Sequence, residues 1–97
     1  MRRTYLFVFG PSLGTHELVK ICVQSLPAMA VWRYDMPNAF YLVSDFDANI
    51  LASQIKSYFN NNGFFLVTQI SPNPSDTQGW IPNASWHLIH NKTLLPE

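Results

Sequence analysis

The segment "TYLFVFGPSLGTHELVK", residues 4–20, decides the fold because it contains a strand, a short connection and the start of a helix. Residues 4–9 form a continuous run of β-branched, aromatic and aliphatic side chains that ends at Gly10, which is typical of a central strand. Thr15 is a suitable N-cap for the following helix, and Pro27 ends it. The segment therefore predicts a strand, a loop and a helix in succession.

The rest of the chain continues this alternation of strands and helices. Apolar runs predict three further strands, at 29–34, 39–44 and 64–71. Asp47 is a suitable N-cap for a second helix with helical apolar spacing, which follows the third strand. A last short helix is expected after Asn83. Because the order is βαββαβ, we predict an α+β, ferredoxin-like sandwich: a four-stranded antiparallel sheet with two helices on one face, plus a C-terminal appendix.

The 97 residues are expected to form one domain, residues 1–97, with a core at 4–71 and the appendix at 72–97. Hydrophobic residues make up 47% of the chain and charged residues only 12%, and alternate positions of the first strand are apolar on both faces. The open face of the sheet therefore needs a cover, which the appendix, a second subunit or a stacked ligand would supply. We predict a homodimer whose interface uses Tyr5, Phe7, Phe9, Trp80 and Trp86.

The charge balance disfavours a nucleic-acid-binding protein without excluding one. Six basic and six acidic residues give a formal net charge of zero, whereas phosphate binding favours a basic surplus. Aromatic residues on the first and third strands would suit base stacking, but the glycine-containing RNA-recognition signature is missing from the third strand. A nucleic-acid-binding surface would have to rely on a local patch of Arg2, Arg3 and Arg33.

No motif in the sequence specifies a catalytic, metal or cofactor site. Gly10 and Gly14 are separated by three residues and no lysine follows, which departs from the Walker phosphate loop. His87 and His90 lack an evident third metal ligand. Cys22, the single cysteine, falls on the apolar side of the first helix and is expected to be buried. We therefore predict no cofactor, no metal and no catalytic residue.

The N-terminus predicts neither secretion nor membrane insertion. A basic start is followed by an apolar run of only five residues, 5–9, which is too short for a signal sequence or a membrane span. A cytoplasmic location with no membrane partner is expected.

The segments "AVWRYDMPNAFYLVS", "DANILASQIKSYF" and "FFLVTQI", together with the first strand and the late tryptophans, resemble the SinR-like family of small bacterial proteins. This family is similar to the CRISPR-associated adaptation subunit and to VapD-type toxin ribonucleases, and the resemblance covers residues 4 to about 90. It implies a ferredoxin-like homodimer. In relatives with nuclease activity, an aspartate after a tyrosine ends the first strand and can hold a divalent cation. Phe9 and Gly10 stand at these two positions, so the resemblance implies that this catalytic group is absent.

These observations predict a non-enzymatic, homodimeric interaction or scaffold protein that resembles the CRISPR adaptation subunit. One alternative is a nucleic-acid-binding module that uses the aromatic sheet face and the local arginines. A second alternative is a divergent ribonuclease that uses His16 with Asp45 or with a histidine of the last helix.

Overall fold

A computed structural model describes residues 1–27 and 29–95. The described chain contains four strands and three helices. In chain order they are β1 (Arg3–Phe9), α1 (His16–Ser25), β2 (Val31–Met36), β3 (Ala39–Ser44), α2 (Ala48–Tyr58), β4 (Phe65–Gln69) and α3 (Asn83–Asn91).

The four strands form one sheet in the order β2-β3-β1-β4, and every neighbouring pair is antiparallel. Phe7 lies at its centre, opposite Phe40 of β3 on one side and Val67 of β4 on the other. Strands β3 and β1 are central and strands β2 and β4 are at the two edges, which is compatible with a ferredoxin-like sandwich. The predicted α+β fold class is confirmed.

Helices α1 and α2 cover one face of the sheet. Each begins at the predicted cap: the Thr15 hydroxyl accepts a hydrogen bond from the Leu18 N–H, and the Asp47 carboxylate accepts one from the Ile50 N–H. The main core lies beneath them. The helices contribute Val19, Cys22, Val23, Leu51 and Ile55, each with no exposed area.

Helix α3 covers part of the opposite face of the same sheet. Leu88 is fully buried there and packs in a second apolar cluster with Tyr41 and Val43 of β3. Ile70 and Ile81 border this cluster. The sequence analysis allowed the appendix, a second subunit or a ligand to cover this face. The C-terminal appendix of the same chain covers this part of it.

The β2–β3 hairpin differs from the sequence-based bounds. Strand β2 ends at Met36, two residues later than expected, because the turn needs only Pro37 and Asn38. The register between β2 and β3 shifts between Arg33 and Met36, which marks a β-bulge. A bulge changes the direction of the side chains that follow it.

Candidate functional site

The three aromatic side chains of β1 that the sequence assigned to a subunit interface lie in the core. Tyr5, Phe7 and Phe9 are 1%, 0% and 6% exposed, and they face α1 and α2 rather than the open side of the sheet. Phe7 stacks against Phe40 with ring centroids 6.3 Å apart. The assignment is corrected for a physical reason: alternation shows that two faces are apolar, but it does not show which face the helices cover.

The two tryptophans of that predicted interface have different surroundings. The Trp80 side chain is completely exposed. Trp86 is half-buried on α3, and its ring stacks on His90 with centroids 6.0 Å apart. Only Trp80 is therefore freely available to a second molecule.

The loop after β1 is a connector whose polar groups are used within the chain. The Gly10 N–H donates to the Phe64 carbonyl at 3.1 Å, and the Leu13 N–H donates to the Gly10 carbonyl at 3.1 Å. The Ser12 hydroxyl accepts from the Phe64 N–H at 3.0 Å. A Cβ placed on Gly63 would lie 2.5 Å from the Leu13 Cα, so this glycine permits the close contact. These bonds hold the loop against the start of β4. Because the Gly10 and Leu13 N–H groups already donate within the chain, they are not available to bind a phosphate.

Strand β4 presents an unpaired edge. Two backbone hydrogen bonds show which residues of this segment direct their N–H and C=O groups toward β1. The Gly10 N–H donates to the Phe64 carbonyl, and the Ile70 N–H donates to the Thr4 carbonyl at 2.8 Å. In an antiparallel pair, every second residue of a strand directs its backbone groups toward the neighbouring strand. Residues 64 and 70 do so here, and the even-numbered residues between them therefore also bond to β1. The N–H and C=O groups of the odd-numbered positions, Phe65, Val67 and Gln69, consequently point away from the sheet.

Exposed apolar side chains flank this edge. Phe64 is 81% exposed and Leu66 is 63% exposed, which is unusual for large apolar residues beside a strand. A groove of about 500 Å³ runs between β4 and α2 and is lined in part by Ala52 and Lys56. We call the surface formed by residues 64–69 and this groove the β4 edge. Outward backbone groups and exposed apolar side chains occur together on this surface, as they do in an unfilled interface.

Two of the three arginines predicted for nucleic acid, Arg2 and Arg33, are bonded within the protein, and Arg3 is partly buried on β1. Arg33 forms an ion pair with Asp35 at 3.2 Å and donates from Nε to the Ser85 hydroxyl at 2.7 Å. Its charge is thus compensated by the protein. Arg2 donates to the Lys92 carbonyl at the far end of β1. Tyr41, which lies on the face opposite α1 and α2, is covered by α3 and is not free to stack with a base.

A buried polar cluster, formed by Arg33, Asp35, Tyr41 and Ser85, links the sheet to α3. The Ser85 hydroxyl is fully buried and donates to one Asp35 carboxylate oxygen, while Arg33 holds the other. Burial raises the pKa of Tyr41 to about 12, and the Asp35 charge contributes to the increase. This cluster was not predicted, and its signal in the sequence is two charged residues, Arg33 and Asp35, at alternate positions of β2.

The residues proposed for a divergent ribonuclease are not brought together. His16 Nδ1 donates to the Pro37 carbonyl at 2.8 Å, beside the β2–β3 turn. Asp45 follows the opposite end of β3, six residues beyond Ala39, which is a separation of roughly 20 Å along an extended strand. The histidines of α3 lie across the sheet. Burial also raises the pKa of Cys22 to about 11, which disfavours a thiolate nucleophile.

No group of three or more His, Cys, Asp or Glu side chains comes together within residues 1–27 and 29–95 as a metal site would require. In the described part of the chain, no helix has the length and apolarity needed to cross a membrane. Comparisons with protein-family models, with curated proteins and with solved structures found no match.

Proposed function

We propose that this protein is a non-enzymatic interaction or scaffold protein that acts as a homodimer, and that the two copies pair along the β4 edge. The observation that carries the proposal is the exposure of Phe64 and Leu66 beside an unpaired strand. A strand edge of this kind is an incomplete hydrogen-bonding surface, and natural proteins usually protect it. The resemblance to the CRISPR adaptation subunit supports the same oligomeric state.

The β4 edge is suited to pairing with itself. In an antiparallel arrangement about a two-fold axis, Val67 of one copy faces Val67 of the other, and Phe65 faces Gln69. The outward backbone groups of these three residues would form about six hydrogen bonds between the copies. Leu66 would face Thr68 across the junction, and the two sheets would join into one continuous sheet. Such a two-fold contact is closed, so it gives a dimer rather than a filament.

The described side chains support a non-enzymatic role. A Cβ at Gly10 would meet nothing within 4 Å, so a carboxylate would fit at the position where the resemblance places the catalytic aspartate. Glycine supplies neither a base nor a metal ligand there. His16 donates to the Pro37 carbonyl, and among the described residues it forms no ion pair with a carboxylate. A nucleophile and base in contact, the usual arrangement for hydrolysis, is therefore missing from this region.

The proposal is tested with a matched pair of charge substitutions. Leu66→Glu places a charge on the β4 edge, whereas Leu18→Glu places one on α1, where the leucine is 54% exposed and does not belong to the β4 edge. Burying the remaining surface of Leu66 contributes roughly 1–2 kcal/mol per copy, so its loss from both copies weakens dimerisation by about 30-fold to 1,000-fold. The molar mass in solution is measured by light scattering over a dilution series.

We expect Leu66→Glu to be a folded monomer at concentrations where the unmodified protein and Leu18→Glu are dimers. Because Leu66 is exposed in the single chain, its replacement leaves the circular dichroism spectrum unchanged. An unmodified protein that is monomeric throughout, or a Leu66→Glu variant that dimerises as before, contradicts the proposed interface.

A further inference from the structure

A cavity of about 350 Å³ lies on the α3 side of the sheet and borders β4, which is an edge strand. Thr68 and Ile70 belong to its wall on this side, and the apolar part of the wall also includes Ile81, Trp86 and Ile89. Cavities that bind small molecules begin at about 300 Å³, so this one has room for an aromatic ring.

Phe64 carries an aromatic ring that its own chain does not bury. The side chain is 81% exposed, although its backbone is held by hydrogen bonds to Gly10 and to the Ser12 hydroxyl. Thr68 lies opposite Leu6, which packs against the apolar cluster beneath α3. Because side chains alternate between the two faces of a strand, Phe64 is on the same face as Thr68. The exposed ring and the cavity are therefore on the same face of the sheet.

The proposed pairing of two β4 edges brings the ring of one copy to the cavity of the other. Facing positions lie equally far from Val67 in opposite directions, so Phe64 of each copy faces Ile70 of the other. Residue 64 bonds to Gly10 and residue 70 bonds to Thr4, so both positions continue the strand. Facing residues of this kind are not hydrogen-bonded to each other, and their Cα atoms lie about 4.5 Å apart, which brings the side chains close together. Since Ile70 belongs to the cavity wall, the ring lies beside the cavity.

We propose that the cavity beneath α3 receives the Phe64 ring of a second copy, so that each copy of the homodimer inserts one ring into the other. This inference rests on the proposed dimer and names the site that anchors it. Strand pairing alone permits slippage by two residues, whereas a ring in an apolar cavity fixes the register. Two inserted rings would each bury roughly 150–250 Å², a substantial part of the about 1,200–2,000 Å² that stable interfaces bury.

The dissociation constant of the dimer, measured by light scattering over a dilution series, tests the inserted ring. Phe64→Ala removes both rings and is expected to raise the constant at least about 100-fold. The control Phe46→Ala removes a ring that is 48% exposed and lines neither the cavity nor the β4 edge, so it should leave the constant unchanged. Because Phe64 is exposed in the single chain, its replacement should leave the circular dichroism spectrum unchanged.

A double-mutant cycle tests whether the ring lies in the cavity. Ile81→Ala shortens a partly buried side chain of the cavity wall and is expected to raise the dissociation constant roughly tenfold. In the Phe64→Ala background the same change should have little effect, because the ring that it contacts is already absent.

The outcomes separate this inference from the proposed dimer. If Leu66→Glu dissociates the dimer but Phe64→Ala does not, the inserted ring is refuted and the β4 interface stands. Equal effects of Ile81→Ala with and without the Phe64 ring also refute the insertion. An unmodified protein that is monomeric at every concentration overturns both the dimer and the inserted ring.

Discussion

Replacing Gly63 with alanine is expected to destabilise the protein strongly, because this residue holds the β1–α1 loop against the start of β4. Gly63 has a φ of +101°, and an added Cβ would lie 2.5 Å from the Leu13 Cα and 2.9 Å from the Ser12 carbonyl oxygen. Both neighbours are backbone atoms, which cannot rotate away. The backbone strain costs about 1–3 kcal/mol and the overlap a similar amount, so we expect a loss of roughly 2–6 kcal/mol.

The matched control is Gly10→Ala. A Cβ at Gly10 meets nothing within 4 Å, and its φ lies outside the left-handed region. This change is expected to alter stability by less than about 1 kcal/mol, because alanine chiefly restricts the unfolded chain. Urea unfolding at one fixed protein concentration measures both variants, and the midpoint of Gly63→Ala should fall by roughly 1–3 M. A Gly63→Ala midpoint within the error of the Gly10→Ala midpoint would refute the close contact.

Three further predictions follow from buried polar groups and from the β4 edge. Ser85→Ala is expected to lower the free energy of unfolding, measured in urea, by roughly 1–3 kcal/mol, because Arg33 and Asp35 lose the hydroxyl that both contact. The control Ser53→Ala, on the exposed side of α2, should lower it by less than about 0.5 kcal/mol. Equal losses would show that the cluster does not support the fold. The pKa values of Cys22 and Tyr41 are raised in the folded protein to about 11 and about 12, so the unfolded chain binds fewer protons above about pH 9. Their contribution to stability is therefore complete below pH 9 and is lost toward pH 12, with a slope of up to about 1.4 kcal/mol per pH unit for each group. Tyr41→Phe should reduce this decline above pH 10, and an unchanged decline would contradict the burial of the hydroxyl. Finally, Gln69→Pro removes one outward N–H of β4. The variant should remain folded as a monomer but dimerise more weakly in light scattering. A dimer as stable as that of the unmodified protein would exclude pairing at that position.

The order of elements and the helix starts were predictable from the sequence because they depend on local patterns. Thr15 and Asp47 cap their helices as expected, since capping involves residues only three positions apart. The aliphatic and aromatic run in β1 likewise predicted a central strand, and it pairs on both sides. These features require no knowledge of distant contacts.

The face of each strand and the polar cluster depend on distant contacts. Alternation placed Tyr5 and Leu6 on opposite faces, but only packing decides which of them lies under α1 and α2. Ser85 bonds to Asp35 from fifty positions away, and no local spacing indicates such a pair. The bulge between Arg33 and Met36 also moves side chains relative to a regular strand. Tyr5, Phe7 and Phe9 consequently belong to the core beneath the helices and not to the open face on which the sequence placed them.

Amide hydrogen exchange along β4 tests the proposed dimer most directly, because alternate residues report different contacts. The N–H groups of Leu66 and Thr68 are expected to be protected at every concentration, since even-numbered residues bond to β1. We predict that the N–H groups of Phe65, Val67 and Gln69 are protected only at high protein concentration and lose protection on dilution, as pairing of two β4 edges requires. Rapid exchange of these three amides at all concentrations would contradict the account.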